Sequence, residues 1–180
     1  MSAASPSPRP LPRRAFVLRM ARAAGVAPAV LAFLDGRGEA LPRGEETDLG
    51  VLYAALTIEH HAIALYDAGL RAVLFPPGLK THAVEFRGDH LGHRDTQIAI
   101  SEERGGRPPE ALSHYALGPL EPGDAFVRQA LQIEVAAQEA YTALISRIDT
   151  RDYLLSAAFI LVDEVRHMTV WQRVLGLRIY

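Results

Sequence analysis

The chain of 180 residues contains no cysteine. That absence excludes disulfides, thiolate metal sites and cysteine nucleophiles, and it leaves the redox compartment undecided. An excess of one charge is also lacking. The formal net charge is −2, and no basic stripe interleaved with aromatics occurs, so no nucleic-acid partner is expected. No run of 18 uncharged apolar residues exists, which leaves no ordinary transmembrane span. Strand-like alternation is scarce, so the fold class expected is all-α. The composition is 49% apolar and 22% charged, as in soluble globular proteins, and the length suits one domain with a real core.

Residues 1–46 read differently from 47–180. The opening "MSAASPSPRPLPRR" is rich in Ser, Pro and Arg, a composition that does not build a core. It leads through "PRRAFVL" (12–18) into the apolar run "AAGVAPAVLAFL" (23–34), the basic-then-apolar shape of a signal peptide. Arg13, Arg14 and Phe16 resemble the twin-arginine export motif, although Pro12, Val17 and Leu18 depart from it. The resemblance implies an exported, periplasmic protein, with Gly38-Glu39-Ala40 as the best cleavage site. The competing reading is a basic amphipathic helix that packs on the domain or touches a membrane surface, in a cytoplasmic protein.

From Asp48 the pattern is helical. A first helix runs to about Gly69, with Asp48 as its N-cap candidate, and "FPPG" (75–78) breaks the chain. A second runs from about Leu79 to Arg104 and stops at Gly105-Gly106. Residues 105–123 carry four prolines and form a connection long for a compact domain. Asp124 opens a third helix to about Ile148, and Asp149 or Thr150 opens a fourth ending at Gly176. Two antiparallel helix pairs joined by one long crossover between helices two and three form a four-helix bundle.

An internal repeat runs through the helices. "ALTIEHHAIALY" (55–66) lies over "ALQIEVAAQEAY" (130–141) with an offset of 75, which aligns Glu59 with Glu134 and Tyr66 with Tyr141. "DHLGH" (89–93) lies over "DEVRH" (163–167) with an offset of 74, which aligns Asp89 with Asp163, His90 with Glu164 and His93 with His167. Nearly equal offsets imply two related helix pairs facing each other across a pseudo-twofold axis. Neighbours at i±3, i±4 and i±7 are mostly apolar around Glu59, Glu134, Glu164 and His167, and include Phe86 and Ile100 around His90 and His93. The polar groups therefore stand in the buried stripes. Unpaired buried carboxylates cost several kcal/mol, on the order of the burial penalty for an ion, and a divalent cation is the simplest compensation. Carboxylate and imidazole together favour iron, manganese or zinc. His60 and His61 fall off the stripe and are expected at the surface or rim, and Arg166 in solvent.

These residues carry a resemblance to the ferritin-like di-iron carboxylate superfamily, most closely to its small bacterial ferritin-like branch, which is similar to desiccation-related proteins. The resemblance covers about residues 48–176 and rests on Glu134, Tyr141 and "DEVRH" in that order. It implies a metal set of Glu59, His90, His93, Glu134, Glu164 and His167. It implies that Asp163 orients His93, that Asp89 orients His167, and that Tyr66 and Tyr141 donate to ligand carboxylates. His90 stands where the family places another glutamate. That leaves the set one carboxylate short and predicts two unequal iron sites, with manganese or zinc as the other occupants considered.

The function implied is redox chemistry at a non-haem metal pair: Fe(II) oxidation, or reaction with O2 or peroxide, as in a ferroxidase or peroxidase. A monomer or small homo-oligomer is expected. The alternative is a metal-free, degenerate bundle serving as a structural or binding module at the cell envelope in stress or desiccation. In that reading Glu59 and Glu134 bridge arginines, and His90 and His93 are core histidines.

Overall fold

A computed structural model describes residues 45–146 and 148–179. The residues of the export-like segment, Arg13, Arg14, Phe16 and the apolar run 23–34, lie outside the described residues. Four long helices account for most of the described chain: α1 (Glu45–Arg71), α2 (Lys80–Glu103), α3 (Asp124–Ile145) and α4 (Arg151–Val174). No strand occurs among the described residues. A single 3-10 turn, Pro77–Leu79, sits in the short α1–α2 connection. α1 ends before that turn, where Val73 takes a left-handed conformation (φ 55°) and the Leu74 N–H donates back to the Gly69 carbonyl at 2.9 Å.

The helices pair as two hairpins, α1 with α2 and α3 with α4, while α1 faces α3 and α2 touches α4 least. Tyr66 reaches Glu134 and Tyr141 reaches Glu59, so α1 and α3 run antiparallel. This is the expected bundle with its crossover between helices two and three. α1 has the length and apolarity to cross a membrane, but 67% of its most apolar window is buried inside the bundle. Its apolar face therefore has a protein partner already.

Two large apolar clusters fill the ends of the bundle, and a small third one consists of Ile58, Ala137 and Ala140. Val51, Leu52, Leu144, Tyr153, Ala157 and Ile160 belong to the first. Tyr66, Phe75, Phe86, Phe126, Val127 and Trp171 belong to the second. Between them the interior turns polar.

Three local expectations need correction. Asp48 does not cap α1, which starts earlier, at Glu45. Its fully buried carboxylate instead accepts the backbone N–H groups of Asp149 (3.0 Å) and Thr150 (2.9 Å), tying the start of α4 to α1. His60 and His61 are buried, not at the rim, because the crossover folds over them: the His60 ring meets the Pro109 carbonyl at 3.2 Å, and His61 packs edge-on against Tyr115. Helix-face arithmetic places them outside a four-helix core and cannot anticipate a loop that covers them. The third helix stops at Ile145, three residues before the expected Ile148.

Candidate metal centre

Glu59 lies on α1, His90 and His93 on α2, Glu134 on α3, and Glu164 and His167 on α4, so every helix contributes. The i, i+3 spacing of His90/His93 and of Glu164/His167 puts each pair on one helix face. The structure brings all six together. All are buried, five of them completely. Their donor atoms form two overlapping groups, Glu59–His90–His93–Glu164 and His90–Glu134–Glu164–His167, each with its atoms within 4.8 Å of one another. Either group could hold a metal ion.

The histidines are oriented from outside. His93 Nε2 lies 3.3 Å from Asp163, and His167 Nε2 lies 3.0 Å from Asp89. An Nε2–H donated to an aspartate leaves Nδ1 turned inward. His93 Nδ1 stands 3.3 Å from Glu164, and His167 Nδ1 stands 3.3 Å from Glu134. His90 is different. Its Nδ1 is 2.8 Å from Glu59 and its Nε2 is 3.4 Å from Glu134, so one ring faces both halves of the cluster. Arg166 is only partly in solvent: it spans α2 and α4 by pairing with Glu85 and with Asp89, the aspartate that holds His167.

Tyr66 donates to Glu134 and Tyr141 to Glu59. Behind each lies a donor whose role the sequence reading missed. The Trp171 indole N–H donates to the Tyr66 hydroxyl at 2.8 Å, and the Gln97 amide donates to the Tyr141 hydroxyl. The 74-residue offset that aligns the histidine motifs also aligns Gln97 with Trp171. The shared N–H was the available signal.

Electrostatics bind the cluster into one unit. Burial alone would raise the Glu59 carboxyl, but the hydrogen bond with His90 and the nearby His93 ring bring it down to about 2. Glu134 is held well below the carboxylate range by His90 and His167 against the same burial. Burial would lower His93, yet the Glu164 and Glu59 carboxylates facing its Nδ1 raise it to about 10. His90 rises likewise, against burial, between Glu164 and Glu134. Glu164 goes the other way. Burial pushes it up to about 8, and neither of its oxygens has a hydrogen-bond partner. A fully buried carboxylate that accepts no hydrogen bond, shared by both donor groups, is the feature a cation would satisfy. The residues present therefore fit a metal.

Comparison with known proteins agrees with this fold. The family described as Ferritin-like domain matches residues 47–177. A conserved hypothetical protein from Mycobacterium tuberculosis, known from a crystal structure, is similar at 27% identity with a TM-score of 0.67. The match covers 73% of this chain and 98% of that one. No curated protein shows significant similarity.

Proposed function

The chain belongs to the ferritin-like domain family, and we propose that it binds two transition-metal ions at the six-residue cluster and performs redox chemistry there. Glu59 and His93 would hold one ion, Glu134 and His167 the other, with Glu164 between them and His90 turned toward both. The observation that carries this reading is Glu164. A metal-free bundle has no reason to bury a carboxylate that accepts no hydrogen bond, whereas its position in both donor groups suits a shared ligand. Iron is the occupant we favour, since a redox-active pair would supply electrons to O2 or peroxide.

The chain's own contribution is geometric. Asp89 and Asp163 fix the tautomers of His167 and His93. Tyr66 and Tyr141 hold one oxygen each of Glu134 and Glu59, and so aim the other. The apolar clusters on both sides keep bulk water from the donors.

Metal analysis of protein purified without chelators tests the proposal. Wild type is expected to carry up to two ions per chain, and Glu164→Ala to lose most of them. Equal metal content in both, or none in wild type reconstituted with Fe(II), Mn(II) and Zn(II), refutes it. Export of the metallated protein through the Arg13-Arg14 motif is a separate proposal, supported by sequence alone.

A further inference from the structure

We propose that the outer face of α4 is a docking surface for residues 23–34 of the same chain, the apolar run "AAGVAPAVLAFL", held along Leu155, Phe159, Val162 and Val165. The proposal stands independently of the metal reading.

Large apolar side chains in solvent are ordinary when single and informative when they form one patch. Leu155, Phe159, Val162 and Val165 are 47%, 72%, 66% and 40% exposed. Their spacing of four, three and three residues puts them, with exposed Ala158, on one side of the helix. The other helices differ. Among the described residues α1 and α3 expose no large apolar side chain, and α2 exposes only Val84. The buried face of α4 already carries Tyr153, Ala157, Ile160, Glu164 and His167. A helix that is apolar on its outer side as well is one that something covers.

The position of the chain start chooses the occupant. The chain enters α1 at Glu45, and Asp48 holds the Asp149 and Thr150 N–H groups at the start of α4. Leu155 stands one turn beyond that start. Residues 23–34 are joined to α1 by residues 35–44, a connection that can span about 33 Å. The stripe from Leu155 to Val165 is about 15 Å long, and the run covers that length even at the short rise of a helix, about 18 Å. A segment tethered this closely meets the stripe at an effective concentration on the order of mM, which favours it over a second copy of the chain. Charge acts in the same direction. Residues 1–44 carry seven arginines and two acids, whereas residues 45–180 outside the six-donor cluster carry sixteen acids and twelve bases. The basic segment and the acidic body attract each other. Once docked, the run is withheld from membranes and from export machinery.

Photocrosslinking of the full chain tests the proposal. Phe159 is replaced by the photoreactive analogue p-benzoylphenylalanine, and a mixture of isotopically light and heavy protein is irradiated. The expected product joins position 159 to residues 23–34 within one chain, with no mixed-isotope product. Crosslinks between copies make the stripe a dimer face and overturn the proposal, as does the absence of any crosslink to residues 23–34. Loss of residues 1–40 from the purified protein, which cleavage after Ala40 would produce, overturns it too. Trypsin gives an independent readout at Arg19 and Arg22, just ahead of the run. Phe159→Asp should speed cleavage there about ten-fold, because a charge replaces a large apolar contact. Leu31→Asp should do the same from within the run. Leu112→Asp, exposed but off the stripe, should leave the rate unchanged. Equal rates in wild type, Phe159→Asp and Leu31→Asp overturn the proposal.

Discussion

At one end of the polar cluster an indole backs a tyrosine, and at the other an amide does the same work. Trp171 donates to Tyr66 as Gln97 donates to Tyr141. The repeat preserves the tyrosine–glutamate and aspartate–histidine contacts, departs from itself in the cluster at His90 and Glu164, and changes what lies behind. The hairpin junctions follow the same rule with the direction of the bond reversed. At the aromatic end the Gly123 N–H donates to the Leu74 carbonyl at 2.8 Å. At the aliphatic end the aligned pair is Asp48 and Asp149, and there the Asp48 carboxylate accepts the Asp149 N–H. Positions that face the donors are constrained by chemistry. Positions one layer away are constrained only by volume, so the two ends are free to differ.

If the shared cluster couples the ends, perturbing it must loosen both together, and pH offers the largest such perturbation in the metal-free protein. Burial raises Glu164 from 4.5 to about 8. The Glu164 and Glu59 carboxylates beside it, outweighing burial, raise His93 from 6.5 to about 10. Both groups bind protons more tightly folded than unfolded. Their contributions are full below the unfolded values and are lost as pH rises, from 4.5 through about 8 for Glu164 and from 6.5 through about 10 for His93. Glu59, lowered to about 2, has the opposite slope, but only below 4.5. The thermal midpoint should therefore fall steadily from mildly acidic pH toward pH 10. Hydrogen exchange should rise at both ends in step. Loosening at one end alone would show that the ends are separate modules. Bound metal displaces these protons, so added Zn(II) or Mn(II) should protect most at high pH.

Packing at the two ends can be compared directly by truncation. Trp171 is wholly buried among Phe75, Phe86 and His82. Trp171→Ala should cost about 3–5 kcal/mol in urea denaturation, the usual range for emptying a buried aromatic site. Gln97→Ala removes a smaller side chain and one hydrogen bond onto Tyr141, so about 1–2 kcal/mol is expected. Equal costs would mean that the aliphatic end is packed as tightly as the aromatic end and would remove the basis of the comparison.

Much of this was legible in the sequence because it is periodic. Four helices, the crossover and the polar groups standing in the buried stripes follow from period 3.6 and from two offsets, while the six-residue metal set was what the family resemblance implied. The braces Asp89 and Asp163 followed from a family resemblance, and the structure places both on the histidines expected. What escaped depends on contacts between elements distant in the chain. His60 and His61 lie outside the stripe but under a loop whose path no periodicity encodes. The orientation of His90, with one nitrogen toward each half, needs three-dimensional placement of Glu59 and Glu134. The contrast between an aromatic and an aliphatic end lies in differences between aligned residues, Trp171 against Gln97 and Phe126 against Val51, which the repeat itself does not signal.

Asp48 provides the smallest and most local test of the difference between the ends. In sequence it reads as the cap of its own helix, because an acid before an apolar run usually is one. In the fold it caps another helix, 101 residues away, from the side. Both carboxylate oxygens are occupied, one by the Asp149 N–H and one by the Thr150 N–H, and the charge faces the positive end of the α4 dipole. Thr150, the residue at the cap position itself, makes no side-chain capping bond, so Asp48 is the group that serves the start of α4. Asp48→Asn keeps the shape and one acceptor oxygen but loses the charge and the second acceptor. The expected loss is about 1 kcal/mol, within the range of a helix N-cap substitution. Hydrogen exchange should localise it to the first turn of α4 and the aliphatic cluster, with the Gly123–Leu74 junction unchanged. Loss of protection at that distant junction would show that the two ends share one cooperative unit even at their periphery. A variant as stable as wild type would show that Asp48 is held by packing and contributes nothing as a cap.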